Sequence, residues 1–218
     1  MKKIILLAFI ALTVTSAAQA QSFSLFTRGN VSIGSQYNEL DYFGNTLFYS
    51  GGGGMGLEIG SQIGIVNNLR ATVSFGYQLN LAFTGETVND VTTTSSALFG
   101  RSFVGLGLIN GFELSHRTIS HILVGAGVQY NSPSKLRLTE NDVDLGSNSY
   151  SAALGFYFEG GISLKLSDNL TLDPTIRYRS LSFEVEDNQF NAPNLTDERF
   201  VNYNANGVEF ALTLVRAF

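Results

Sequence analysis

From residue 23 onward the chain alternates apolar and polar side chains almost to its end. Leu69, Ala71, Val73, Phe75, Tyr77, Leu79, Leu81 and Phe83 share one parity, and Arg70, Thr72, Ser74, Gly76, Gln78 and Asn80 share the other. Successive strand side chains point to opposite faces, whereas a helical period of roughly 3.6 would scatter both sets around its circumference. The stretch 69–83 therefore predicts a strand with one apolar and one polar face. The same reading predicts strands over 23–37, 47–65, 97–114, 121–130, 150–166, 170–185 and 207–218. In 97–114 the pair Asn110-Gly111 is also a hairpin signal, which leaves that strand's end open. In 170–185 the apolar residues Leu181, Phe183 and Val185 sit on the parity of Arg177 and Arg179. Two explanations stay open: a bulge near Ser180, or a strand that has risen beyond its apolar surroundings. Pro174 lacks a ladder donor and is expected at a bulge or near a strand end.

The connections alternate long and short. Residues 38–45, 84–96, 131–148 and 186–202 read as long loops, while 66–68, 115–120 and 167–169 read as short turns. That count places both chain ends on the short-turn side. It is the pattern of an all-β, eight-stranded antiparallel up-and-down barrel that crosses a membrane, where each strand needs about 9–11 residues. Closure also removes open strand edges, which lipid cannot satisfy.

The sorting of charge favours lipid outside over a soluble, ligand-binding barrel of the lipocalin kind, which would turn its apolar parity inward. The polar parity carries Arg28, Glu58, Arg70, Arg101, Glu113, Glu159, Lys165, Asp173, Arg177, Arg179 and Glu209, interleaved with glycine. The apolar parity is nearly free of charge, as expected where an exposed Arg or Lys at mid-bilayer costs about 2–4 kcal/mol. An eight-stranded barrel has an interior that side chains can fill. The six basic and five acidic residues just named are expected to form an ion-pair network, with glycine leaving room for long side chains. The alternative is a narrow polar channel.

Composition narrows the class further. Charged residues make up 14 % of the chain, below the usual quarter, while Gly accounts for 23 positions, Phe 17 and Tyr 9. There is no Cys, so neither a disulfide framework nor a lipid-modified cysteine is available. Residues 1–20 read as a cleaved signal peptide: Lys2 and Lys3 precede the apolar run 4–14, and Ala18 and Ala20 form a small-x-small cleavage site. The mature domain then spans 21–218, and losing Lys2 and Lys3 takes the formal charge from −5 to −7. Nucleic acid is not expected as a partner on that balance. No residue pattern implies a cofactor or metal.

The final strand ends on Phe218 with Leu214, Leu212 and Phe210 behind it on one face. With the seven preceding stretches, it resembles the small bacterial outer-membrane β-barrels of the OmpX and OmpA-barrel type over nearly the whole mature chain. The resemblance implies a Gram-negative outer membrane, contact with its lipid and lipopolysaccharide, and a monomer. It also implies that Phe218, Leu214, Leu212 and Phe210 signal to the barrel-assembly machinery. Arg216 departs from that signal, since an apolar residue is usual there; at the interface it can snorkel. The expected role is structural or interactive at the cell surface and not enzymatic. A small porin is the first alternative and a lipid-modifying enzyme the second.

Three local patterns invite chemistry. His116 and His121 flank a short turn beside Ser115 and Ser120, but map to the end opposite the outer leaflet. Gly51 to Gly54, and Gly105, Gly107 and Gly111, lack the following helix that a phosphate loop needs and are expected as lumen glycines or hairpin tips. The run 140–144 resembles a calcium loop without its closing bidentate Glu, and the acidic long loops could bridge divalent cations to lipopolysaccharide or meet a basic partner.

Overall fold

The computed structural model describes residues 22–35, 38–42, 45–88, 91–114, 116, 118–190 and 202–218. The proposed signal peptide, with Ala18 and Ala20, lies outside them, as do Ser115 and most of the last long loop. The strands are β1 (Phe23–Gly34), β2 (Asn38–Tyr42), β3 (Asn45–Tyr49), β4 (Gly54–Val66), β5 (Leu69–Val88), β6 (Val91–Glu113), β7 (Ile119–Asn131), β8 (Ser134–Glu140), β9 (Val143–Tyr150), β10 (Ala153–Ser167), β11 (Leu170–Ser180), β12 (Ser182–Phe190), β13 (Asn202–Asn204) and β14 (Gly207–Ala217).

Eight of them close an antiparallel ring in the order β1–β4–β5–β6–β7–β10–β11–β14, with β14 returning to β1. The closing ladder runs in unbroken register from Ser24 opposite Ala217 to Gly34 opposite Gly207. Short turns join β4 to β5, β6 to β7 and β10 to β11 at the end that also holds Phe23 and Phe218. Asn67 turns the first of these with φ of 47°. The long connections gather at the opposite end.

Several expected loops are strands. The stretch 84–96 continues β5 and β6 as one hairpin down to Val88 opposite Val91. The stretch is rich in Thr and Val, residue types enriched in strands. Likewise 131–148 holds β8 and β9, turned by Asn141 and Asp142, whose φ angles are 47° and 65°. That turn explains the 140–144 run: it makes a hairpin tip in which Thr94 donates its amide to Asn141 Oδ1 and Gly146 donates to Asp144 Oδ1. Beyond the ring, β5, β6, β8, β9, β12 and β13 rise as one sheet above its rim.

Other expectations are corrected. Asn110 and Gly111 pair onward with Val124 and Leu123, so no hairpin forms there. The predicted strand 47–65 is broken by the buried segment 50–53. Pro174 sits in mid-strand opposite Leu212, and the β10–β11 ladder skips from the Gly161–Thr175 pair to Leu164–Leu172 around it. No bulge forms at Ser180, because parity never slips: Arg177, Arg179, Leu181 and Phe183 all point inward and are buried. What changes along the strand is the interior, which turns from charged to apolar. Above the ring, Phe99, Leu136, Leu138, Tyr150, Leu181, Phe183 and Tyr203 pack into one core. Phe99 meets the rings of Phe183 and Tyr203 edge-on, at 5.5 and 4.8 Å.

Candidate functional site: the charged lumen

The wall sorts its side chains sharply. Leu57 and Phe158 on the outer face are 71 % and 65 % exposed, whereas Glu209 and Arg179 on the inner face are 2 % and 0 % exposed. Strand alternation produces this sorting directly, since every second residue must point into a ring too narrow for water-filled space around each charge.

Six of the eleven expected lumen charges form a connected cluster. Arg28 lies 3.4 Å from Glu58 and 3.1 Å from Glu159, and Arg177 lies 3.1 Å from Glu58 and 3.0 Å from Glu159. Arg177 also approaches Glu209 at 3.7 Å, and Arg179 pairs with Glu209. Arg28 Nε donates to Thr213 Oγ1 at 2.8 Å. Each carboxylate thus faces two guanidinium groups, and the three acids balance the three bases. Desolvation offsets much of the Coulomb gain in such a cluster, so it specifies which strands meet more than it adds net stability.

The other five stand apart from this cluster. Asp173 accepts from Ser163 Oγ at 2.7 Å, and Arg70 donates to Gln62 at 3.1 Å, both toward the short-turn end. Arg101 donates to Asn131 Oδ1 at 2.7 Å and to Gln78 Oε1. Lys165 is half exposed and pairs with Asp168 at 2.9 Å in the turn, and Glu113 is exposed at the rim. Both lie where the inner face opens to solvent, so neither joins the buried network. The hydrogen bond from Lys165 and its charge hold the Asp168 carboxyl below the usual aspartate range.

Gly125 stands against the Glu159 side chain, where a Cβ would lie 3.1 Å from Cγ, but several other glycines clear space for aromatic rings. A Cβ at Gly76 would stand 2.3 Å from Phe103, one at Gly60 2.6 Å from Phe26, and one at Gly107 2.2 Å from the Tyr157 hydroxyl. These inward rings carry the arginines: Arg177 lies 4.1 Å over Tyr157, Arg28 5.7 Å over Phe26 and Arg101 5.7 Å over Phe103. Such contacts strengthen when desolvated. Sorting residues by parity and charge alone does not reveal these rings. Their signal in the chain is an aromatic residue two positions from a charge on the polar parity, as in Phe26–Arg28 and Arg101–Phe103.

Among the described residues no hydrogen bond joins either histidine to a serine hydroxyl. His121 points inward on the rung of Glu113 and Ser163, but Ser163 gives its proton to Asp173 rather than to a histidine. His116 Nδ1 accepts the amides of Thr118 at 3.3 Å and Ile119 at 3.2 Å, which caps the turn. Among the described residues no three His, Asp or Glu side chains converge as metal ligands. Phe210, Leu212 and Leu214 face outward, and the Phe218 amide donates to the Phe23 carbonyl at 2.9 Å. Arg216 faces outward as well and lies 5.3 Å over the Phe218 ring.

The same closed ring recurs in solved proteins. OprG, an outer-membrane protein from Pseudomonas aeruginosa, superposes with a TM-score of 0.53 at 10 % identity, covering 91 % of this chain and 97 % of that one. A major outer-membrane protein from Thermus thermophilus gives 0.52 at 16 % identity, covering 90 % and 98 %. Neisserial surface protein A gives 0.50 at 13 % identity, covering 90 % and 97 %. The fold is that of the small bacterial outer-membrane β-barrels. No family model matches the sequence, and no curated protein matches it. The likeness is therefore one of fold: eight strands, both ends at the short-turn rim, and long hairpins at the other.

Proposed function

We propose that the mature chain is an integral outer-membrane protein with a side-chain-filled lumen, acting structurally or through surface contacts rather than as an enzyme. The observation that carries this reading is the inversion of polarity across the wall. Phe75, Leu57, Ile59, Val124, Phe156, Ile176 and Leu212 are exposed around the ring while its charges are buried inside. Large exposed apolar patches mark membrane or protein contacts, and a belt that runs all round a closed ring fits lipid. In this reading the short turns and both chain ends face the periplasm, and the long hairpins face outward among lipopolysaccharide. Fractionation to the outer membrane with a heat-dependent gel shift is the expected result, and recovery in the soluble periplasm would overturn it.

The competing reading is a small solute channel. Two layers argue for occlusion: the ion-pair cluster in the ring, and the apolar core above it. In planar bilayers the wild-type protein is expected to give no steady conductance, and a stable single-channel current would favour the channel.

A further inference from the structure

Between the ion-pair cluster and the apolar core lies a thin tier that holds one cation beyond those the carboxylates balance. Arg179 belongs to it and shares Glu209 with Arg177. Arg101 belongs to it too, is 1 % exposed, and among the described residues has no carboxylate within ion-pair distance. Among the described residues its guanidinium donates only to the neutral amides of Asn131 and Gln78, and its Nε has no hydrogen-bond partner. Neutral acceptors satisfy donors but do not neutralise charge, and a buried unpaired charge is costly.

The chain itself covers this tier. Segment 50–53, Ser-Gly-Gly-Gly, leaves the wall and tucks into the mouth of the ring, buried throughout. Arg179 Nη2 donates to the Gly52 carbonyl at 3.1 Å, and Gln78 Nε2 donates to the Gly53 carbonyl at 3.0 Å. Gln78 turns its oxygen to Arg101, so one of the two groups that bind the carbonyls is also a partner of the unbalanced cation. The segment fits because residues 51 and 52 have no side chains: a Cβ at Gly52 would stand 1.8 Å from the Asn206 carbonyl, and one at Gly51 2.6 Å from the Tyr203 ring. It leaves the tier by a glycine hinge, Gly54, at φ of 105°.

We propose that Arg101, Arg179 and Gln78 form a binding site for a small oxyanion, and that segment 50–53 masks it by placing two backbone carbonyls where the ligand's oxygens bind. An oxyanion supplies the negative charge that the carbonyls lack, and charge-assisted hydrogen bonds to it are stronger than those to a neutral amide. Ligand and segment therefore compete for the donors of Arg179 and Gln78, while Arg101 supplies the charge that favours the ligand.

Inorganic phosphate is the probe, with sodium chloride at matched ionic strength as the control, on protein folded in phospholipid vesicles. The native chain has no cysteine, so Ser50→Cys gives a single reporter inside the mask. At about ten times the phosphate dissociation constant, labelling of this cysteine by a hydrophilic thiol reagent is expected to rise about tenfold, because the displaced population grows with ligand saturation. Adding Arg101→Gln is expected to abolish the rise. An unchanged labelling rate, or an equal rise in the Arg101→Gln background, overturns the proposal. A second measurement needs no cysteine: phosphate is expected to raise the thermal midpoint of the unaltered protein and not of Arg101→Gln, and equal midpoints with and without phosphate overturn the site itself.

Discussion

Arg177 on β11 and Glu58 on β4 meet at 3.1 Å inside the ring, although β14 and β1 stand between their strands in the wall. The pair is a tie across the lumen, where wall hydrogen bonds link only neighbours. Removing one end leaves a buried charge. Glu58→Gln is expected to destabilise by about 3–5 kcal/mol, as is usual when one partner of a buried pair is lost. Combining it with Arg177→Met is expected to cost less than the two single changes added together. Denaturant unfolding from vesicles, run as a double-mutant cycle, checks this, and strict additivity would show that the tie carries no coupling.

Gly76 and Phe103 give a second test, because the ring occupies the place of a side chain. Gly76→Ala is expected to destabilise by about 1–3 kcal/mol through overpacking. Phe103→Leu in the same chain is expected to restore part of the loss. Failure of the second change to help would place the strain elsewhere than between the added methyl group and the Phe103 ring.

Phe218 closes the ring beside Phe23, with ring centroids 6.2 Å apart. Deleting Phe218 is expected to lower the amount of heat-modifiable barrel recovered from the outer membrane. Phe218→Tyr keeps the ring and is expected to preserve the yield. Equal yields for the deletion and the native chain would make the terminal aromatic incidental.

Lys165 and Asp168 form an exposed pair in the β10–β11 turn. Because the Asp168 pKa is lowered on folding, its contribution is present above the ordinary aspartate range and is lost as pH falls through the depressed value. An NMR titration should find Asp168 ionising below a free aspartate, and Lys165→Gln should move it back up. A midpoint unchanged by Lys165→Gln would show that the lysine is not the cause.

The neighbours in solved structures agree with this picture at the level of fold, and the physical reason lies in the repeat itself. A period of two, held across eight stretches separated by alternating long and short connections, admits few arrangements other than an up-and-down ring. That information is local and survives without knowledge of contacts. It placed the lipid face, the lumen parity and the two rims, and it named the residues that the ion-pair cluster draws on, Arg28, Glu58, Glu159, Arg177, Arg179 and Glu209.

Three things depended on tertiary structure. Which charges meet depends on stagger between strands, so Lys165 and Glu113, on the right parity, fall at the wet rim outside the cluster. The purpose of the glycines is invisible along the chain, because the ring that fills the space at Gly76 belongs to another strand. The apolar turn of the interior at Leu181 and Phe183 looks like a slipped parity in sequence, because alternation reports which way a residue points and not what it meets there. The sequence by itself determined the facing of nearly every wall residue, since that follows from strand geometry. Only the tertiary structure decided what those residues face: an ion-pair cluster, a glycine strap over Arg179 and Gln78, and an apolar core above the rim.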